Sequence, residues 1–130
     1  MMKLNTFFSI LLLIFVLALQ SCKYDYVVPE PPIIIDPEEP ISFAQEIAPM
    51  FSANNQQCTS CHKTGGTSPD LSAANAYASI VPTRVNLTDP ETSIIYWHAH
   101  PASTTHVWKK LSQNEVDLML VWIQQGAKNN

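Results

Sequence analysis

Hydrophobic residues are arranged along this chain in three different ways. From residue 7 to 19 they run almost unbroken, Phe7-Phe8-Ser9-Ile10 through to Leu19. Between 22 and 40 they are scattered among prolines and acids, with one short run, Ile33-Ile34-Ile35. From 41 onward they recur at helical spacing. Phe43, Ile47, Met50 and Phe51 share a face behind Ser42 as N-cap, with Gln45 at the capping-box position. Pro49 must kink or restart that helix. Ser72 can cap a second short helix carrying Tyr77 and Ile80. Asp89-Pro90-Glu91 combines a cap, a proline at the first helical position and an acid in the first turn. It predicts a helix with Ile94, Ile95 and Trp97. Ser112 and Glu115 form another capping box, Val116, Met119, Leu120 and Ile123 make one face, and Gly126 supplies a C-terminal cap. No stretch alternates with period two and no repeat is present. The pattern predicts an all-α domain over 41–130 with about four or five short helices. Long loops are expected at about 61–71, 82–89 and 99–111.

The two segments before that domain read as an address and a spacer. The apolar run at 7–19 is shorter than the roughly 20 residues that span a bilayer. Behind Met1-Met2-Lys3 it reads as a secretory signal. Residues 22–40 hold five of the ten prolines and five acids against Lys23 alone. Proline favours extended geometry without backbone donors, and like charges stretch the chain, so a semi-rigid acidic tether is expected. Ile33-Ile34-Ile35 could lie on the domain as an edge strand, within the limits its flanking prolines set.

Composition narrows the classes. With 130 residues there is no room for a TIM barrel or a two-domain dehydrogenase. A net charge of −4 argues against nucleic acid as a partner, and its acidity belongs mostly to the tether. Three cysteines leave one without an intramolecular partner.

The chemistry concentrates at Cys58-Thr59-Ser60-Cys61-His62. This is C-x-x-C-H, the attachment signature of c-type haem. Two thiols three residues apart lie on one side of a helical turn and can each add to one haem vinyl group. The histidine that follows projects an imidazole at the iron. Other readings of the cluster are a zinc site using Cys58, Cys61 and some of His62, His98, His100 and His106, a thioredoxin-like redox pair, and a plain disulfide. Consecutive Cys61-His62 is awkward for a tetrahedral ion, and the βαβ context of a redox pair is missing.

Two resemblances extend this reading. Leu19-Gln20-Ser21-Cys22 resembles the lipobox of bacterial lipoproteins. It implies a signal peptide at 1–21 and acylation of Cys22, which occupies the odd cysteine and anchors the protein without a transmembrane helix. The domain at 41–130 resembles the small single-haem cytochrome c domains of Bacteroidetes-like lipoproteins. The resemblance rests on Ile47-Ala48-Pro49-Met50-Phe51, the haem motif, Ser68-Pro69-Asp70-Leu71, Asp89-Pro90-Glu91-Thr92-Ser93 and Trp122-Ile123-Gln124-Gln125-Gly126-Ala127. It implies a cytochrome c-like fold in which the first and last helices cross beside haem c. It also implies that the Pro69 carbonyl accepts a hydrogen bond from His62.

For the second axial ligand the same resemblance points to the loop before the last helix. That loop, 99–110, has no Met. His106 is the first choice, His98 and His100 follow, and Met119 remains as an apolar candidate on the last helix. An open position is the other outcome, and it would suit a haem-based sensor or oxidoreductase component. Phe43, Phe51, Tyr77, Tyr96, Trp97, Trp108 and Trp122 are expected to pack the core and line the haem. Lys109-Lys110 reads as a solvated turn or a docking patch. The expectation is an exported electron carrier, not an enzyme by itself, anchored by lipid to a cell-envelope membrane and facing the periplasm. Its partners would be redox proteins.

Overall fold

The computed structural model describes residues 12–13, 28, 30–53 and 57–130. The signal-peptide and Cys22 expectations fall outside the described residues, apart from Leu12 and Leu13, which are helical. The chain divides into two compact units, Met1–Glu30 and Pro31–Asn130. Among the described residues there is no β-strand, and no helix is long and apolar enough to cross a membrane. The second unit is all-α, as its periodicity predicts.

Helix α1 begins as a π-helical turn over Phe43–Ile47 and continues as an α-helical turn over Ala48–Met50. Pro49 has no N–H to give, and the wider π turn ahead of it absorbs the mismatch; the Ala48 N–H donates to Phe43 five residues back. The wider turn also changes the cap. Ser42 Oγ accepts from the Gln45 N–H, but the side chain that returns to the Ser42 N–H is Glu46, at 2.7 Å, not Gln45. Helix α2 spans Ala76–Arg84, starting later than Ser72 suggests. The Ser72 hydroxyl donates backward to Asp70 instead of capping forward, so Ser72–Asn75 forms a turn.

The expected helix after Asp89 is split. A 3-10 turn over Pro90–Thr92 ends at Ser93, and α3 then spans Ile94–Ala99. Ser93 is buried and its Oγ accepts from the Asn86 N–H at 2.9 Å, which holds its backbone extended between the two pieces. Helix α4 spans Gln113–Gln124 with the full Ser112–Glu115 capping box, and Gly126 follows at φ +96°, the left-handed conformation that closes such helices.

The core joins α1, α2 and α4. Phe43 packs edge-on against Tyr77, with ring centres 5.2 Å apart, and against Trp122 at 5.3 Å. Ile47, Ile80, Val116, Met119 and Ile123 are fully enclosed around them. Each such aliphatic or Phe side chain contributes about 1.5–3 kcal/mol relative to exposure. Tyr77 and Trp122 keep their polar ends satisfied on the carbonyls of Ala127 and Lys128. Trp97 and Trp108 lie outside the buried core, 47% and 77% exposed, although Trp108 lines the cleft described below.

Residues 31–40 are not a free tether. They group with the domain and run along α4. Prolines leave this strap unable to form a ladder, so side-chain amides serve its carbonyls instead. Asn114 donates to Pro31 O and accepts from the Ile33 N–H, while Gln125 donates to Pro37 and Glu39 and accepts from the Ile41 N–H. Ile35 turns inward against the core.

Candidate functional site

One cleft of about 750 Å³, part of it open to solvent, gathers most of the residues singled out by sequence. Cys58, Cys61, His62, Pro69, His98 and His106 all line it, and the remaining walls are mostly apolar: Phe51, Leu71, Ile94, Ile95, Ala99 and Leu111.

The cysteine wall is a single 3-10 turn over Cys58–Ser60. It is tied to α1 by the Thr59 N–H donating to Phe51 O at 3.2 Å. Within it the Cys61 and His62 N–H groups both donate to Cys58 O, which brings the two cysteines to one side. Both thiols are free. Cys58 is half-buried, and desolvation pushes its thiol above the ordinary range, opposed in part by a backbone hydrogen bond and Lys109. Gly66 then turns the chain so tightly that a side-chain carbon there would strike the Cys61 carbonyl.

His62 Nδ1 lies 3.2 Å from the Pro69 carbonyl. A carbonyl only accepts, so Nδ1 carries the proton, and in the neutral tautomer that this bond selects Nε2 keeps its lone pair. This is the orientation a metal-ligating histidine uses. The Pro69 segment is itself fixed by Asp70, whose carboxylate accepts from Ser72, Thr64 and Asn75. Those bonds hold the Asp70 carboxyl well below the usual carboxylate range, the Ser72 hydroxyl first and Thr64 next.

Across the cleft stands His106. Its ring centre is 6.2 Å from that of His62, with the planes tilted by 38°. Bonds of about 2 Å from one metal atom to a nitrogen of each ring fit within such a separation. Burial lowers the His106 pKa, as do the neighbouring imidazoles of His62 and His98, so the neutral, ligating form is favoured. Its Nδ1 is buried without a well-formed hydrogen bond, and the Trp108 backbone opposes the shift only in part.

The other ligand candidates sit differently. His98 lines the cleft but is exposed. His100 is not among the lining residues; its Nδ1 accepts from the Ala102 N–H and its ring stacks on Trp97. Met119 is fully buried in the core, away from the cleft walls. Among the described residues no three His, Cys, Asp or Glu side chains converge as a zinc cage requires.

No protein-family model, no curated protein and no solved structure matches this chain.

One polar cleft residue escaped the sequence reading. Arg84, in the last turn of α2, lines the cleft with its Nε buried and unpartnered, and only Nη2 reaches Ser68 Oγ, at 3.3 Å. A guanidinium facing an apolar cavity with spare donors suits a ligand carboxylate. No motif marks it. Of the Lys109-Lys110 pair, Lys109 lines the cleft and reaches the cysteine turn, and Lys110 reaches carbonyls of its own loop. The donor set as a whole fits a flat, apolar, iron-bearing ring with acidic side groups: two thiols, two facing imidazoles, apolar walls and one arginine.

Proposed function

We propose that this protein is a c-type cytochrome, an electron carrier holding one haem c in the cleft between the 58–71 and 99–111 segments. The observation that carries the reading is the His62–His106 pair, 6.2 Å apart between ring centres, beside two free cysteines in C-x-x-C-H spacing. Cys58 and Cys61 would hold the haem, each S–H adding across one vinyl group to give one thioether. His62, oriented by Pro69, and His106 would be the protein's ligands to its iron, and Arg84 would pair with a porphyrin carboxylate. The apolar walls keep water from most of the ring and lower the local dielectric, while the open part of the cleft leaves an edge accessible to a redox partner. When bound, the haem supplies an iron that cycles between two oxidation states. Two histidine ligands set a lower potential than a His/Met pair would. Export and lipid anchoring at Cys22 belong to the same reading and rest on the first 22 residues of the sequence.

The test is expression of the full chain with a c-type maturation system. Expected are haem that stays attached on a denaturing gel, loss of that haem in Cys58→Ala/Cys61→Ala, and a low-spin spectrum indifferent to carbon monoxide. Protein recovered without attached haem would refute the reading. Attached haem with free carbon monoxide binding would replace electron transfer by a sensor or oxidoreductase role.

A further inference from the structure

We infer that Lys110 is a positioning residue for the distal imidazole: its ammonium plugs the 99–111 loop from inside and holds His106 over His62. This deepens the haem reading and rests on it.

The loop closes at its base, where the Leu111 N–H donates to Ala99 O at 3.0 Å. Its ends are close and its interior is filled by its own polar groups, the construction of an Ω-loop. At the centre is Ser103, 1% exposed. Its N–H donates to His100 O, and its hydroxyl engages Thr105. Lys110 Nζ donates to Pro101 O at 2.9 Å and also to Ser103 O. One ammonium has three donors, so it serves both carbonyls, and bonds from a charged donor are stronger than neutral ones.

The consequence for His106 follows from sequence spacing. It lies three residues after Ser103 and four before Lys110. The Lys110–Ser103 bond therefore closes a short ring of chain that contains His106, which removes much of the loop's conformational freedom. Lys109, beside it at φ +51°, points the other way, to Gln57 O and Ser60 Oγ on the cysteine turn. It is exposed, and its brace is the weaker one. Two adjacent lysines thus fix the loop, one to itself and one to the opposite wall.

The test uses the full chain carrying attached haem. Lys110→Met should retain wild-type haem content, gain high-spin character at neutral pH, and bind carbon monoxide about tenfold faster in the ferrous state. Lys110→Arg, which keeps charge and several donors, should restore wild-type behaviour. In a His106→Ala background Lys110→Met should leave the spectrum unchanged. If Lys110→Met does not accumulate, Lys110→Gln, with one amide donor, should show the same changes at smaller amplitude. A low-spin spectrum and carbon monoxide exclusion that persist in whichever of these two variants accumulates would overturn the positioning role. A wild-type protein that lacks attached haem, or itself binds carbon monoxide freely, overturns the reading beneath it instead, and so separates the two failures.

Discussion

The two segments that supply the facing imidazoles are held in unlike ways. The 58–71 wall is organised by backbone bonds. His62 N–H donates to Cys58 O at 2.8 Å, Thr67 N–H to Cys61 O, and Leu71 N–H to His62 O. It is also fastened to α2, where Ser79 Oγ receives the Asp70 N–H. The 99–111 wall has one backbone bond at its base and one inside it, from the Ser103 N–H to His100 O, and is otherwise braced by long lysine side chains, with Val107 and Trp108 mostly exposed. Backbone bonds are fixed by the turn itself, whereas a lysine brace gives up about 2 kcal/mol of rotamer entropy to form. Under the proposed reading, the rigid wall would carry the covalent attachment and the softer wall the second ligand, kept in place by its lysines.

The largest effect should come from breaking the comparison at the two histidines. His62→Ala should reduce attached haem to background, since the rigid wall loses its orienting ligand. His106→Ala should keep haem attachment near the wild-type level and turn carbon monoxide binding from excluded to stoichiometric. Haem content on denaturing gels and ferrous spectra read both. Equal loss of attached haem in the two variants would erase the proposed difference between the walls.

A smaller effect tests rigidity alone. Gly66→Ala forces a methyl against the Cys61 carbonyl, and overpacking of that kind costs about 1–3 kcal/mol. Thr104→Ala, at an exposed position in the other wall, should stay within about 0.5 kcal/mol. Urea unfolding of the haem-loaded protein measures both. A Gly66→Ala midpoint equal to wild type would mean that the rigid wall yields as readily as the soft one.

What the sequence made legible follows the same division. The C-x-x-C-H turn and the Ser112–Glu115 cap are local, with every partner within four residues, and spacing alone encodes them. The helical class is likewise written in the 3.6 periodicity of α4. The expectations that fail are those where a group outside the spacing rule outcompetes the one the rule names. Ser93 is drawn to Asn86 and splits a helix, and Ser72 turns back to Asp70. Glu46 replaces Gln45 because a proline widens the turn. The strap at 31–40 rests on Asn114 and Gln125, more than 80 residues away. Arg84 and Lys110 acquire their roles from a cavity and from a folded loop, neither of which a spacing rule can contain.

The smallest expected effect lies in Asp70, and its sign is set by the direction of its pKa. Ser72, Thr64 and Asn75 all donate to the carboxylate, so the folded state holds it ionised below the unfolded value of about 3.9. A depressed folded pKa contributes stability that is complete above the unfolded value and is lost as pH falls through the folded one. Asp70→Asn keeps the side chain's shape but presents donors where the loop supplies donors. The variant should be slightly less stable than wild type near neutrality, and the gap should narrow as pH drops from about 6 to about 3. Taking the difference between the two proteins removes the effect of acid on the histidines, which both share. Urea midpoints across that range check it, together with the haem spectrum at each pH. A gap that widens toward acid would mean that the carboxylate is not what fastens the rigid wall, and that Ser79 and the backbone bonds hold the Pro69 segment without it.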